Sequence, residues 1–129
     1  MPAPAKAVDQ QVVWKNDEMQ TFALALVQHA LELLHEGKTQ FTTDIVPDAE
    51  RGEGQGIAGS VVELLKNANV IQGVGHPHGE HWYAMRVKSN RPDRKGAWLC
   101  VYQLTGAGIA EEFLRRNEVS FQPIQAEFL

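Results

Sequence analysis

Apolar side chains recur every three or four residues in three stretches of this 129-residue chain, a spacing that predicts amphipathic helices. The first helix begins at Asn16 or Asp17, which suit a helix N-terminus, and ends before Gly37. The second runs over about residues 56–69, and the third over residues 106–117. Each of these helices has one apolar face, so we expect each of them to pack against another element.

Between the last two helices the pattern changes to runs rich in aromatic and β-branched residues, which favour strands. We expect strands at residues 70–74, 81–87 and 96–104. Turn-forming Gly, Pro, Asn and Asp residues connect them in residues 75–80 and 88–95. Helices followed by a hairpin, in a chain of this length, predict a single α+β core.

Two shorter features complete the prediction. Residues 41–49 have room for one or two turns only, which Thr42 or Thr43 is expected to cap and Pro47 to end. Thr105 is expected to cap the third long helix.

Composition is that of an ordinary globular protein, and no apolar run approaches the ~20 residues of a membrane span. Residues 1–15 contain Pro2 and Pro4 without the apolar segment of a secretory signal, so we expect a flexible arm. The single cysteine, Cys100, cannot form an internal disulfide, which fits a cytoplasmic protein. It lies in a predicted strand, where we expect it to be buried.

Charge is distributed unevenly along the chain. The formal net charge is −4, yet residues 86–95 hold five of the 12 Lys and Arg residues and a single carboxylate. Such a local cluster on an acidic body is expected of an element that binds anions. The alternative is a solvated hairpin tip that is basic for solubility.

The glycines at Gly54, Gly56 and Gly59 match the spacing of a dinucleotide-binding motif. That motif requires a preceding strand, and the residues before it here are charged and turn-like, so we expect no nucleotide site. The glycines are instead expected to let the start of the second helix approach another backbone closely, either of this chain or of DNA.

His76, His78 and His81 lie with Glu80 in the densest group of metal-capable side chains. Short loops rarely fix a tetrahedral zinc site without a distant ligand, so we expect a polar turn and no cofactor. A metal-responsive regulator is the alternative. The sequence contains no recognisable nucleophile with its base and no metalloprotease motif, so an enzyme is not expected.

Residues 89–92 (Ser-Asn-Arg-Pro), Gly96 and residues 101–105 form the most specific pattern. Arginine on a turn stiffened by proline suits phosphate or guanine recognition. With the order of helices and strands, residues 16–105 resemble the winged helix-turn-helix superfamily. More narrowly, they resemble small phage and prophage winged-helix proteins, whose wing carries a serine, an Arg-Pro pair and a glycine. Residues 57–71 are similar to their recognition helix running into the first wing strand.

The resemblance implies a winged helix-turn-helix fold of three helices and a β-hairpin wing, extended here by a C-terminal helix and tail over residues 106–129. It implies non-catalytic binding of duplex DNA in phage replication or transcription regulation, through helix 56–69 and the basic wing 86–95. The candidate DNA-binding residues are Gln55, Ser60, Glu63 and Asn67 on the helix, and Arg86, Lys88, Arg91, Arg94 and Lys95 on the wing.

The tail, residues 119–129, is apolar at intervals, with Phe121, Ile124 and Phe128 among its side chains. It either packs on its own core or reaches a second subunit. We expect a homodimer that places two wings on one duplex, with a protein partner for the tail as the alternative. The rival hypothesis is a winged-helix adaptor in a larger assembly without DNA contact. The acidic body, the apolar tail and a second long helix whose one cation is Lys66 favour that rival.

Overall fold

The computed structural model describes residues 14–52, 56–94 and 96–118. Within them the fold is α+β, with three α-helices, short 3₁₀ turns and three two-stranded antiparallel ribbons. The helices are α1 (Asp17–His35), α2 (Ile57–Asn67) and α3 (Ala107–Glu118). The strands are β1 (Ile71–Gly73), β2 (Gly75–His78), β3 (His81–Ala84), β4 (Arg86–Lys88), β5 (Trp98–Cys100) and β6 (Tyr102–Leu104). None of the helices in these ranges is long and apolar enough to span a bilayer.

Both predicted ends of α1 are confirmed. The Asn16 side chain caps the helix, because its Oδ1 accepts the N–H of Met19 at 2.9 Å. At the other end Gly37 has φ +87°, and the N–H of Lys38 donates to the carbonyl of Leu33 at 2.8 Å. This is a Schellman motif, which satisfies carbonyls at the end of the helix.

One hydrophobic core joins the three helices and the first strand. Its largest side chains that are exposed by 2% or less include Phe22, Leu26, Val61, Leu65, Ile71 and Phe113. α3 packs on α1, and the contact includes a hydrogen bond in which Gln20 Nε2 donates to the carbonyl of Asn117 at 3.1 Å. The apolar stripe of α3 therefore packs on its own chain, with Ala110 and Phe113 buried and Ile109 and Leu114 partly buried.

The segment between α1 and α2 contains two 3₁₀ turns. Thr42 Oγ1 accepts the N–H of Asp44 at 3.2 Å and caps the turn Thr43–Ile45. Pro47 then precedes the turn Asp48–Glu50. The predicted short element that ends at Pro47 is confirmed, but it is 3₁₀ and not α-helical.

α2 is shorter at both ends than the predicted helix 56–69. It begins after Gly56, which has φ +78°, and it ends in a second Schellman motif at Asn69, which has φ +65°. In that motif the N–H of Val70 donates to the carbonyl of Leu65 at 2.9 Å. Both of these side chains are fully buried, so the end of the helix is anchored in the core.

The ribbons meet at a three-way junction. β1 pairs with β6, β2 with β3, and β4 with β5. Three backbone hydrogen bonds close a ring at their meeting point: Val74 N–H to Val101 O at 2.9 Å, Met85 N–H to Val74 O at 2.8 Å, and Val101 N–H to Met85 O at 3.1 Å. The β1–β6 ribbon packs on the helices, and the hairpins β2–β3 and β4–β5 lead away from the junction. The predicted strands 81–87 and 96–104 therefore each change partner midway.

The predicted turn at residues 75–80 is wrong. Gly75–His78 forms β2, and the hairpin turns at Gly79 and Glu80, where Gly79 has φ +65°. A proline in β2 is tolerated because this strand has β3 as its single neighbour, so that the missing N–H of Pro77 can face the open edge.

Two smaller predictions are also corrected. Thr105 does not cap α3; its Oγ1 donates to the carbonyl of Asn69 at 2.7 Å and so ties the strand end to the end of α2. The carbonyl of Gly106 accepts the N–H of Ala110 instead, and α3 starts one residue later than predicted. Cys100 is half-buried and not buried, because it borders a groove beside α2.

Candidate functional site

The candidate residues of α2 share one solvent face. Ser60, Glu63 and Asn67 follow each other at steps of three and four residues, and all three are exposed. The Glu63 carboxylate lies 3.9 Å from the Nζ of Lys66, a surface ion pair of small energetic weight. Gln55 lies outside the described residues. The helix therefore presents a polar face with nearly balanced charge.

Gly59 lies beside this face, and no close packing within the described chain requires a glycine there. A Cβ added to Gly59 or to Gly56 would meet no described atom within 4 Å. The expectation that these glycines pack against another part of the chain is therefore wrong for the described residues. Gly56 is required by its positive φ, whereas Gly59 costs α2 up to about 1 kcal/mol relative to alanine. Gly54 lies outside the described residues.

The wing candidates Arg86 and Lys88 lie on β4, directly opposite Cys100 and Trp98 of β5. Opposed residues of an antiparallel pair share a face of the ribbon, so both cations lie beside the indole and the thiol. The Nζ of Lys88 is 5.3 Å from the centroid of the Trp98 ring, a cation–π contact. Across residues 14–52, 56–94 and 96–118, no carboxylate pairs with Arg86 or Lys88. We call this surface the cationic face.

A groove separates α2 from the cationic face, and we call it the α2–β5 groove. Gly59 and Glu63 contribute to one wall, and Trp98, Cys100 and Tyr102 to the other. Burial raises the pKa of the Tyr102 phenol, and the neighbouring Cys100 thiol adds to the rise. The phenol is thus neutral at physiological pH. Glu63 is the candidate residue of α2 that lines the groove, and Arg86 and Lys88 lie on β4, the strand that pairs with the opposite wall.

Arg91 is engaged inside the chain. Its Nη1 donates to Asp48 Oδ1 at 2.5 Å and its Nη2 to Asp93 Oδ2 at 3.3 Å, and its side chain is 20% exposed. The hydrogen bond to Asp48 raises the pKa of Arg91, and the hydrogen bond from Arg91 lowers the pKa of Asp93. A phosphate that binds Arg91 must therefore compete with two carboxylates of this chain.

The residues before Arg91 fasten the same loop. Ser89 Oγ donates to Asp44 Oδ2 at 2.8 Å, and the N–H of Asn90 donates to the same oxygen at 3.2 Å. The N–H of Arg91 donates in turn to Ser89 Oγ at 3.2 Å. Ser89 is 4% exposed. The Ser-Asn-Arg part of the wing pattern thus holds the loop on the 3₁₀ segment after α1.

The remaining wing candidates are described in part. Arg94 belongs to the 3₁₀ turn Pro92–Arg94 by its backbone. Its side chain, the whole of Lys95 and the predicted dimerisation tail 119–129 lie outside the described residues.

The histidines of the β2–β3 hairpin surround an aromatic ring. His76, His78 and His81 lie 6.2, 5.8 and 6.3 Å from the ring of Tyr83, measured between centroids. They share its face because His76 lies opposite Tyr83 and His78 opposite His81. In the described part of the chain no group of three or more His, Cys, Asp or Glu side chains is placed to hold a metal ion.

No protein-family model, curated protein or solved structure matches this chain. Its function must therefore be inferred from the chemistry of its own residues.

The first prediction concerns the fastening of the loop. Ser89→Ala should lower the free energy of unfolding by about 1–3 kcal/mol, because the partly buried Asp44 carboxylate loses a hydrogen-bond donor. Ser60→Ala, on the exposed face of α2, is the matched control and should change it by less than about 0.5 kcal/mol. Urea denaturation of both variants measures the difference. Equal stabilities would contradict the structural role of Ser89.

Proposed function

We propose that this protein is a non-catalytic winged-helix protein of the phage or bacterial regulator type that binds duplex DNA. The α2–β5 groove is the observation that carries the proposal. One wall of the groove is α2, whose exposed polar face includes Glu63, and the other wall is β5, the partner strand of the exposed cations Arg86 and Lys88. At ~1.5 Å per residue, α2 is about 16 Å long, and the major groove of B-DNA admits a helix.

The order of elements supports the winged-helix fold. In this proposal α1, the 3₁₀ segment and α2 correspond to the three helices of that fold, and the hairpin β4–β5 corresponds to the wing. Phe41, between α1 and the 3₁₀ segment, forms an isolated β-bridge to Tyr102 of β6 through hydrogen bonds of 2.9 and 2.8 Å. The fastening of the wing loop to the 3₁₀ segment holds the hairpin beside α2.

In the proposed complex some side chains contact phosphate and others contact the bases. Arg86 and Lys88 contact phosphate, which supplies affinity but carries no sequence information. Asn67 has the amide that pairs with adenine, and Glu63 accepts from the amino group of cytosine. Ser60 can bond to either kind of base. Arg91 positions the loop and contributes less to binding than its charge alone suggests.

A protein-binding adaptor is the second candidate function. Tyr83, Met85 and Val87 alternate along the extended segment of β3 and β4 and are each between 40% and 49% exposed. A row of exposed apolar side chains is typical of protein-interaction surfaces. Homodimerisation through the tail, transcription regulation and a cytoplasmic location stay predictions.

A salt series on random duplex DNA tests the proposal. The logarithm of the affinity should fall linearly with the logarithm of the salt concentration, with a slope of about 0.9 per neutralised phosphate. The double variant Arg86→Ala/Lys88→Ala should flatten the slope by about 1 to 2. Lys15→Ala/Lys38→Ala removes the same charge at the two ends of α1 and should leave the slope unchanged.

The outcome also separates the two candidate functions. If the wild-type protein shows no binding to duplex DNA at low salt, the adaptor is favoured. If both double variants flatten the slope equally, binding depends on overall charge and not on the cationic face.

A pair of glycine variants tests the position of α2. Gly59→Ala and Gly108→Ala both replace a helical glycine whose Cβ meets no described atom within 4 Å. Both should raise the free energy of unfolding, by up to about 1 kcal/mol. Only Gly59→Ala should weaken DNA binding, several-fold, because its methyl group lies where the helix approaches DNA. Thermal unfolding and fluorescence anisotropy measure the two effects. Unchanged affinity of Gly59→Ala would place the DNA elsewhere.

A further inference from the structure

Two tryptophans are displayed on the ribbons instead of being packed in the core. Trp82 on β3 and Trp98 on β5 are each 60% exposed. Trp98 borders the α2–β5 groove, but Trp82 lies on the β2–β3 hairpin and has no part in the proposed duplex contact. Aromatic side chains are enriched at binding surfaces, so exposed tryptophans are candidates for partner contacts.

The two indoles lie on the same side of the strands. Side chains alternate along an extended segment, so Trp82, Arg86 and Lys88 point to one side and Tyr83 to the other. Met85, at the midpoint, lies between the two strands, but its N–H and its carbonyl both bond within the junction and so lie on one side of the backbone, as they do in an extended residue. Trp98 joins this side because it lies opposite Lys88. The cationic face therefore continues along β3 to Trp82.

The absence of a side chain at Gly75 leaves room for the indole of Trp82. Gly75 lies diagonally across the β2–β3 ribbon, and a Cβ there would come within 2.7 Å of Trp82 Cζ2 and 2.4 Å of the carbonyl oxygen of Tyr83. The indole thus covers the backbone of Gly75, and its 60% exposure leaves much of its surface open to solvent. This is a preformed aromatic platform.

The charge around the platform selects an anionic partner. The six strands contain the cations Arg86 and Lys88 and no carboxylate, and the nearest acidic residue on the hairpin is Glu80 at its turn. A partner that combines negative charge with planar apolar groups fits this surface. In duplex DNA the faces of the bases are covered by their neighbours, so they are accessible for such stacking only where the strands are unpaired.

We infer that Trp82 and Trp98, with Arg86 and Lys88 between them, form a binding surface for single-stranded DNA that continues from the end of a duplex. The inference rests on the proposed duplex binding and adds a second contact to it. Lys88 lies six positions after Trp82, a span of roughly 20 Å along the strand. Trp98 thus lies where the unpaired strand leaves the duplex, and Trp82 stacks on a base several nucleotides farther along that strand.

Anisotropy titrations with two labelled DNAs test this surface: a blunt duplex, and the same duplex with a single-stranded oligo-dT extension. The wild-type protein should bind the extended DNA more tightly, by roughly five- to one-hundred-fold, as expected for stacking of one base. Trp82→Ala should lose this preference and keep its affinity for the blunt duplex. Tyr83→Ala, an exposed aromatic residue on the other side of the same strand, is the matched control and should keep both affinities.

The outcomes separate the two proposals. Equal affinity of the wild-type protein for both DNAs would overturn the stacking surface. So would an equal loss of the preference for the extended DNA in the Trp82 and Tyr83 variants. Duplex binding would stand in either case. If the blunt duplex is not bound but oligo-dT is, and Trp82→Ala abolishes that binding, the stacking surface stands and the duplex proposal fails. Unchanged thermal midpoints of both variants exclude misfolding as the cause.

Discussion

The arrangement of every ribbon depends on the ring of backbone hydrogen bonds that joins Val74, Met85 and Val101. At each of these residues a strand leaves one partner and takes another, so a single point sets the directions of three ribbons. Individual backbone hydrogen bonds contribute only about 1 kcal/mol net. The junction is also stabilised by the burial of Val101 and by the β1–β6 ribbon, whose Ile71 and Tyr102 pack in the core. It carries the β1–β6 ribbon onto the helices and starts the hairpin that brings the cationic face beside α2.

A second constraint gives the wing its position. The loop after β4 is held to the 3₁₀ segment by the side chains of Ser89 and Arg91, which bond Asp44 and Asp48. Among the described side chains of the basic cluster 86–95 there are therefore two kinds of cation. Arg86 and Lys88 are exposed and available to a partner, whereas Arg91 donates hydrogen bonds to carboxylates of its own chain. Charge counted along the sequence cannot make this distinction, because it depends on carboxylates more than 40 residues away.

Periodicity and capping chemistry predict the helices well, because those signals are local. Asn16 and Gly37 mark the ends of α1, and the stripe of α2 is found where the spacing puts it. The sheet is less predictable. The His-Pro-His-Gly sequence around β2 is typical of a turn, although an edge strand tolerates it. The change of strand partner at Met85 and Val101 depends on backbone hydrogen bonds and leaves no pattern in the side chains. The polar face of α2 follows from its sequence, but the exposure of Trp82 does not, because an aromatic residue in a strand is more often buried.

An NMR titration of the full-length, ¹⁵N-labelled protein with a short duplex tests the central claim most directly, because each amide reports its own environment. We expect the largest shift changes at Ser60, Glu63 and Asn67 of α2 and at Arg86 and Lys88 of β4, with the amides of α3 little affected. Shifts confined to the faces of α1 and α3, or no shifts at saturating DNA and low salt, would contradict the assignment of the α2–β5 groove as a DNA-binding surface.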